Sequence, residues 1–273
     1  MSSNPIFAFE GIRTATLTAS HGSEAGYPTT NLQDDRYYTQ WMSASDAINQ
    51  LLTIDFGSGI TRAMDYVLIA NHNFASLGLR YLTFSVKAYL GSWEDQVVLD
   101  PGLITDPLLV SFPASIARRY LGIYFDKEGG SELNEAPELG MVLTGTKATM
   151  SLYSNNPERG LQSDAVVSES MSKLRYSSSM GADREAWKLD FSKLTTTQLY
   201  HFMRLIRAVN GMQYPFWFCD MDGNWHFVRF KKDYLPLIGK GNVAFQAKGI
   251  EFDEERVGIA MNLPGGNTVP AAE

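Results

Sequence analysis

The segment QLLTIDFGSGITRAMDYVLIA, residues 50–70, contains two runs of strand-forming residues with glycines between them. The first run, residues 50–56, is followed by Gly57-Ser58-Gly59, and the second, residues 64–70, is rich in apolar and β-branched side chains. Such runs are typical of strands, and the glycines predict a turn. The segment therefore predicts two consecutive strands with a short connection.

Similar runs fill the rest of the first half. In residues 82–90 (LTFSVKAYL), apolar residues recur with the period of two that predicts one face of a strand: Leu82, Phe84, Val86, Ala88 and Leu90. Further strands are predicted at residues 15–19, 96–99, 108–112, 120–125 and 139–144. About eight strands with short connections and no long helix predict an antiparallel β-sandwich or jelly roll.

The second half contains a helix signal followed by an aromatic hairpin. Thr195 and Gln198 form the Thr-x-x-Gln pattern of a capping box, and Asn210-Gly211 ends the helix. Between them one apolar stripe is formed by Leu199, Phe202, Met203, Ile206 and Val209. Residues 215–230 then place two aromatic strands around a turn, and residues 243–252 alternate as a further strand. This order predicts a small β-barrel or belt-like domain with one amphipathic helix.

The chain is 273 residues long, which favours two domains at the usual ~100–200 residues each. We predict a mainly β protein with a sandwich at residues 1–150 and a second β domain at 151–261, its helix at about 195–209. The last residues, 262–273, carry Pro and Gly without apolar periodicity, and we expect a flexible tail there.

Composition excludes several classes of function. The formal net charge is −7 and no basic run is present, which argues against a general nucleic-acid binder. Apolar runs are too short for a membrane span, and the N-terminus lacks the pattern of a signal peptide, so we expect synthesis in the cytoplasm without export by that route. One cysteine, Cys219, and four scattered histidines predict no disulfide, no metal site and no cofactor.

Two aromatic clusters are candidate binding surfaces. Tyr37, Tyr38 and Trp41 lie in a loop-like stretch and could stack on a sugar, or could close one end of the sandwich. The second half carries more aromatic residues than a small interior needs, and we predict that some lie in a subunit interface. The interface candidates are Phe216, Trp217, Trp225, Phe227 and Phe230, with packing inside the domain as the alternative.

Two motifs near the hairpin turn have ordinary explanations. Asp220, Asp222 and Asn224 are spaced like calcium ligands, but an EF-hand needs an acidic residue at position 231, which is lysine. A turn rich in Asp and Asn is the simpler interpretation. Cys219 and His226 could face each other, yet no third catalytic group accompanies them.

A hydrolase that acts on a cell-wall polymer is one hypothesis for the function, with Asp34, Asp35 and Asp55 as candidate acids. Asp34 and Asp35 are adjacent, so in an extended segment their side chains would point apart rather than flank a bond. No nucleophile elbow, phosphate-binding loop or zinc-protease motif is present. We therefore expect no enzymatic activity.

The first half resembles the discoidin-like, galactose-binding-like family over about residues 12–146. The matching segments, in order, are residues 25–41, 50–57, 64–69, 92–94, 119–124 and 138–145. The resemblance implies a jelly roll that binds glycans, lipids or proteins. The family often joins the ends of this domain by a disulfide, which a single cysteine cannot form, and no sugar-binding loop matches residue by residue.

The second half resembles the belt domain of distal tail proteins from long-tailed bacteriophages over about residues 160–256. The matching segments are residues 187–191, 195–209, 210–211, 216–230 and 249–254. The resemblance implies a homo-oligomeric ring, usually a hexamer, that joins the tail tube to the hub proteins in the virion. A peripheral domain binding a host surface glycan would fit this arrangement, although here the sandwich precedes the belt. The alternative is a stand-alone carbohydrate-binding module or lectin.

Overall fold

The computed structural model describes residues 4–34, 36–47, 49–79, 81–99, 105–126, 132–151, 158–162, 165–169, 175–179, 184–231, 239–240 and 245–255. The strands of the first half are β1 Ile6–Ala8, β2 Thr16–Ala19, β3 Trp41–Met42, β4 Gln50–Asp55, β5 Arg62–His72, β6 Tyr81–Lys87, β7 Glu94–Leu99, β8 Leu108–Arg118, β9 Tyr120–Asp126, β10 Glu138–Gly145 and β11 Ala148–Thr149. A 3-10 helix covers Thr29–Gln33.

The second half contributes one α-helix and eight strands to the described ranges. They are β12 Glu158–Gln162, β13 Ala165–Glu169, β14 Arg175–Ser179, β15 Arg184–Leu194, α1 Thr196–Ala208, β16 Phe216–Cys219, β17 Trp225–Phe230, β18 Gly239–Lys240 and β19 Phe245–Glu254. The predicted tail at residues 262–273 lies outside the described residues.

An antiparallel sandwich forms from two sheets of the first half, as the alternating strands predict. Its five-stranded sheet has the order β2-β4-β9-β6-β7, and its four-stranded sheet has the order β3-β10-β5-β8. Inward side chains of both sheets, such as Leu52, Phe84 and Val67, form one buried cluster. The alternation of residues 82–90 stops earlier than predicted, because β6 ends at Lys87 and Leu90 is 90% exposed.

Six strands of the second half, together with β1 and β11, form a further antiparallel sheet, here called the C-terminal sheet, in the order β11-β1-β16-β17-β19-β15-β12, with β18 paired to β19. Within the described ranges its two edge strands, β11 and β12, do not pair with each other, so the barrel that we predicted does not close. Two short strands from the first 150 residues, β1 and β11, join this sheet.

Helix α1 covers one face of the C-terminal sheet. The capping box is confirmed: Gln198 N donates to the Thr195 side chain, and the Gln198 side chain accepts from Thr195 N. Phe202 and Leu205 are fully buried and pack with aromatic side chains of the sheet, including Phe7. Leu205 was missing from the predicted stripe.

The other face of the C-terminal sheet packs on the sandwich. Trp217 and Phe227 of the aromatic hairpin contact a buried apolar cluster on the outer face of the four-stranded sheet, which includes Leu68 and Met141. The Tyr66 hydroxyl in this layer accepts hydrogen bonds from Phe9 N and Glu10 N. The molecule therefore has four layers, which are two sandwich sheets, the C-terminal sheet and the helix.

Of the helices in the described ranges, none has the length and apolar character needed to cross a bilayer.

Candidate functional site

The two outer faces of the sandwich differ in what covers them. The outer face of the four-stranded sheet is buried by the hairpin β16–β17. The outer face of the five-stranded sheet carries exposed side chains instead, including Tyr81 and Val98. At the end of this face where β4, β6 and β9 meet, aromatic and charged side chains converge. We call this surface the aromatic platform; it comprises Asp55, Lys87, Tyr89, Trp93, Arg119 and Tyr120.

Strand register brings the platform together from distant parts of the chain. Tyr120, at the start of β9, pairs with Asp55 on one neighbouring strand and with Lys87 on the other. Tyr89 lies in the turn after β6, is 64% exposed, and is followed by Trp93 just before β7. Asp55, Lys87 and Tyr120 of the platform therefore lie on regular strands, whereas Tyr89, Trp93 and Arg119 lie in the connections between strands.

A glycine makes room for the Trp93 ring on this sheet. A Cβ atom at Gly122 would lie 2.9 Å from Cζ3 of Trp93 and 3.0 Å from a methyl group of Leu51. Such distances are shorter than van der Waals contact, so a side chain at this position would displace the indole, and glycine allows it to approach β9 this closely. The ring of Trp93 then meets the edge of Tyr120 at a centroid distance of 6.5 Å.

Two cations lie among these rings. The Cζ atom of Arg119 is 4.7 Å from the Tyr89 centroid and 4.8 Å from the Tyr120 centroid. The Nζ atom of Lys87 lies 5.7 Å from the centroids of both Trp93 and Tyr120. Cations over aromatic faces are stabilised by the ring quadrupole, so these contacts hold both side chains in place.

Asp55 fixes the position of Arg119. Arg119 Nε and Nη2 donate to the two carboxylate oxygens of Asp55, each at 2.7 Å. This bidentate geometry is typical of arginine paired with a carboxylate, and it gives the contact a defined orientation. The hydrogen bonds from Arg119 lower the pKa of Asp55 despite partial burial, and Gly57 N also donates to this carboxylate. Asp55, one of the candidate acids of a hydrolase, is thus ionised and paired with Arg119.

The predicted sugar-binding cluster is divided among three environments. Trp41 is 1% exposed in the sandwich core, and its Nε1 donates to Ser23 Oγ at 3.0 Å. Tyr37 packs against Trp217 and Phe227, with ring centroids 5.9 and 6.1 Å away. Burial, together with Asp106, raises the pKa of Tyr37 to about 12. Tyr38 alone of the three is exposed, at 55%.

The physical reason for this division is strand β3. Trp41 lies on this edge strand and pairs with Leu139 of β10, so its side chain faces the interior between the two sheets. The alternative interpretation, in which these aromatic residues pack at one end of the sandwich, applies to Trp41. Tyr37 instead contributes to the contact with the hairpin β16–β17. The three rings therefore form no common surface.

The predicted subunit-interface residues pack within this chain. Phe216 and Phe230 lie in the core between the C-terminal sheet and the helix. Trp217 and Phe227 lie on the opposite face, against the sandwich, and Trp225 is partly buried beside them. Alternate residues of the hairpin thus serve two different cores, which explains why so many are aromatic.

Asp220 organises the hairpin turn rather than a cation site. Its buried carboxylate accepts hydrogen bonds from Asp222 N at 2.9 Å and Asn224 N at 2.8 Å. His226 Nε2 lies 3.3 Å from the same carboxylate. Among the residues described, no group of three or more His, Cys, Asp or Glu side chains is arranged to hold a metal ion. The turn interpretation accounts for these contacts.

Cys219 and the remaining candidate acids lie apart from the platform. Burial raises the pKa of the Cys219 thiol to about 11, with a contribution from Asp220, so the thiol is protonated at neutral pH. The strand register pairs Cys219 with Trp225, whereas His226 pairs with Phe218. Asp34 accepts a hydrogen bond from the Thr39 hydroxyl in its own loop, and Asp35 lies outside the described residues.

Apart from Asp55, which was a candidate acid, sequence reasoning missed the platform residues. A usable signal was present for Lys87, since the period of two that turns Phe84 inward places Lys87 on the opposite face of β6, whereas Tyr89 lies beyond the end of that strand. Arg119 and its neighbour Arg118 have different partners, and Arg119 pairs with Asp55. Arg118 forms an ion pair with Glu94, with 2.9 Å between Nη2 and Oε2.

Comparisons with known proteins match no protein-family model and no curated protein sequence. Solved structures that resemble the chain include chitosan-binding module 1 from a chitosanase/glucanase of Paenibacillus sp. IK-5. Its sequence identity to this chain is 16% and the TM-score is 0.39, and the match covers 50% of this chain and 99% of that chain. They include the family 32 carbohydrate-binding module of NanJ from C. perfringens in complex with galactose, at 16% identity and a TM-score of 0.39, over 50% of this chain and 98% of that one.

A third such structure is the CBM32-5 module of GH89 from Clostridium perfringens in complex with GalNAc-β-1,3-galactose. It has 9% identity and a TM-score of 0.41, and the match covers 51% of this chain and 100% of that one. The three neighbours are carbohydrate-binding modules, and each is matched by about half of this chain.

Proposed function

We propose that this protein binds a carbohydrate through the aromatic platform of its N-terminal sandwich. The observation that carries the proposal is the convergence of an exposed ring, Tyr89, and two partly exposed rings, Trp93 and Tyr120, with two cations and a carboxylate at one end of the five-stranded sheet. The proposal involves binding and no catalytic step.

The chemistry of the platform suits a sugar. A pyranose presents C–H groups on its faces and hydroxyls around its edge. Exposed aromatic rings such as Tyr89 offer an apolar surface for the C–H groups. Lys87 and Arg119 supply N–H donors and Asp55 supplies acceptors for hydroxyls nearby. An apolar surface with a few fixed polar groups is the usual composition of a small-molecule site.

Replacing Tyr89 with alanine tests the platform. We expect sugar binding to weaken about tenfold, which corresponds to about 1.4 kcal/mol of lost contact. The protein is first screened on a glycan array and then titrated by calorimetry with the sugars that bind, with galactose and chitotriose included in every case. Because Tyr89 is exposed, the variant is expected to keep its stability.

The matched control is Tyr38→Ala, which removes another exposed tyrosine from the sandwich. Loss of binding in Tyr38→Ala with full binding in Tyr89→Ala would move the site to Tyr38 and refute the platform while keeping the carbohydrate function. A wild-type protein that binds no glycan on the array would refute the function itself.

As a second candidate function, we propose that the C-terminal sheet assembles copies of the chain into a ring, as a distal tail protein of a bacteriophage virion. The supporting observation is the hairpin β13–β14, which pairs with no other strand in the described ranges. A two-stranded hairpin is marginally stable alone in water, and edge strands such as β12 favour pairing with another chain. Tail tube and hub proteins would be the further partners.

Ring assembly is tested by native mass spectrometry and negative-stain imaging of one sample of the full chain. We expect a discrete closed oligomer, with six copies as the predicted number, because a closing head-to-tail interface gives a single stoichiometry. A monomer that persists at high concentration, both alone and with added tail tube protein, would contradict the ring.

A further inference from the structure

A cavity of about 450 Å³ lies between the sandwich and helix α1. Its walls come from residues 9–14, from the connection between β4 and β5, and from the helix. Phe9, Phe56 and Ile60 supply apolar surface. The volume falls within the roughly 300–1,000 Å³ range of small-molecule sites. This cavity is separate from the aromatic platform and has no part in the proposed carbohydrate binding.

The charge of the cavity opposes the charge of the whole chain. Three arginines, Arg13, Arg62 and Arg204, line it together with one carboxylate, Glu10. Three positive groups and one negative group leave a formal charge of +2 in a chain whose net charge is −7. A local positive potential in a concave site attracts anions and disfavours cations.

Glu10 holds two of the arginines in fixed positions. Arg62 Nη2 lies 3.5 Å from Glu10 Oε2, and Arg204 Nη2 donates to Glu10 Oε1 from the helix. Arg62 Nη1 also donates to the Gly11 carbonyl at 3.0 Å. One carboxylate therefore joins the sandwich to the helix and places two guanidinium groups side by side.

Arg62 and Arg204 have N–H donors that these contacts do not use. A guanidinium has five N–H donors, and the contacts within the described part of the chain engage two nitrogens of Arg62 and one of Arg204. Both side chains are partly exposed, at 22% and 26%. Arg13 lies nearby with its Cζ atom 3.6 Å from the Tyr214 centroid, a contact that fixes its plane.

We propose that this cavity binds a small multivalent oxyanion, a phosphate or a di- or tricarboxylate, held by Arg62 and Arg204. Planar guanidinium groups bind both anions through paired hydrogen bonds. Phe9 and Phe56 make part of the wall apolar, and attraction between charges is stronger beside an apolar wall than in bulk water. The ligand would link the sandwich to the helix through the same two arginines that Glu10 already joins.

Charge variants at Ile60 test this site. Ile60 lines the cavity yet is 53% exposed, so substitution there leaves the fold intact. Sodium phosphate and sodium citrate are titrated into the full chain by calorimetry, with sodium chloride at matched ionic strength as the blank. We expect Ile60→Glu to raise the Kd about tenfold relative to Ile60→Gln, and Ile60→Lys to lower it, because the added charge acts at short range.

Arg204→Lys provides the second arm. It keeps the positive charge but loses the planar fork, so we expect about tenfold weaker binding if the oxyanion is held by paired hydrogen bonds. Binding of phosphate or citrate alone identifies which oxyanion the site takes. Absence of heat beyond the chloride blank for both anions, or equal Kd values in the three Ile60 variants, overturns the proposal.

Discussion

Replacing Trp41 with alanine is expected to lower the free energy of unfolding by about 3–5 kcal/mol, the range for a buried tryptophan. Trp41 is among the largest fully buried side chains and packs with the apolar residues of both sandwich sheets. The substitution also removes the hydrogen bond from Nε1 to Ser23 Oγ. Equilibrium unfolding in urea, followed by fluorescence and circular dichroism, measures the change.

The matched control is Tyr38→Ala, three positions earlier, which removes an exposed ring and is expected to change stability by less than about 0.5 kcal/mol. A Trp41→Ala protein as stable as the wild type would show that Trp41 does not contribute to the core. If Trp41→Ala is destabilised as expected, a loss of sugar binding in this variant would be caused by unfolding of the sandwich. It would not show that Trp41 contacts the sugar.

Replacing Asp220 with alanine is expected to cost about 3 kcal/mol, because hydrogen bonds to a buried charged group are among the stronger ones and their donors would lose their partner. The carboxylate is 1% exposed and accepts from Asp222 N, Asn224 N and Asn224 Nδ2, with His226 beside it. Without it the turn between β16 and β17 loses its internal support. Urea unfolding at neutral pH measures the loss.

The effect of Asp220 also depends on pH. Burial works to raise the pKa of this carboxyl, but hydrogen bonds from Asn224, His226 and Asp222 outweigh burial and hold the pKa below its usual 3.8. A lowered pKa in the folded state gives stability that is present above the unfolded pKa and is lost as pH falls through the folded pKa. The difference between wild type and Asp220→Ala should therefore shrink below pH 3.8.

The control for this prediction is Asp222→Ala, in the same turn. The Asp222 side chain is exposed, and its backbone N–H still donates to Asp220 in the variant. We expect a change of less than about 0.5 kcal/mol. If both variants lost equal stability, the turn sequence as a whole and not the buried carboxylate would be responsible.

Local signals in the sequence were sufficient for the helix and for most of the longer strands, whereas the short strands β1 and β3 were not predicted. The capping box at Thr195 and the apolar stripe fixed the helix, because helix ends and faces depend on residues three and four positions apart. The period of two fixed which residues of β6 face inward, as Leu82, Phe84 and Val86 show. These features depend on neighbours along the chain, so one sequence contains them.

Features that depend on distant strands could not be predicted in this way. A period of two shows that a strand has a buried face but not which sheet buries it, so the two faces of the hairpin β16–β17 could not be assigned to two different cores. The platform could not be predicted for the same reason, since Asp55, Lys87 and Tyr120 meet only through the register of three strands. Tyr37 and Trp41, close in sequence, separate because a single edge strand turns one inward.

The position of β1 in the C-terminal sheet sets an order of events during translation. Phe7 pairs with Phe218, more than two hundred residues later in the chain. At ribosomal rates of about 5–20 residues per second, the first strand waits roughly 10 to 40 seconds for its partner. The sandwich strands from β2 to β10 leave the ribosome within that interval and can fold first. Strand β1 therefore meets β16 only after most of the chain has been made, and a nascent chain stalled before β16 leaves that edge of β1 without its partner strand.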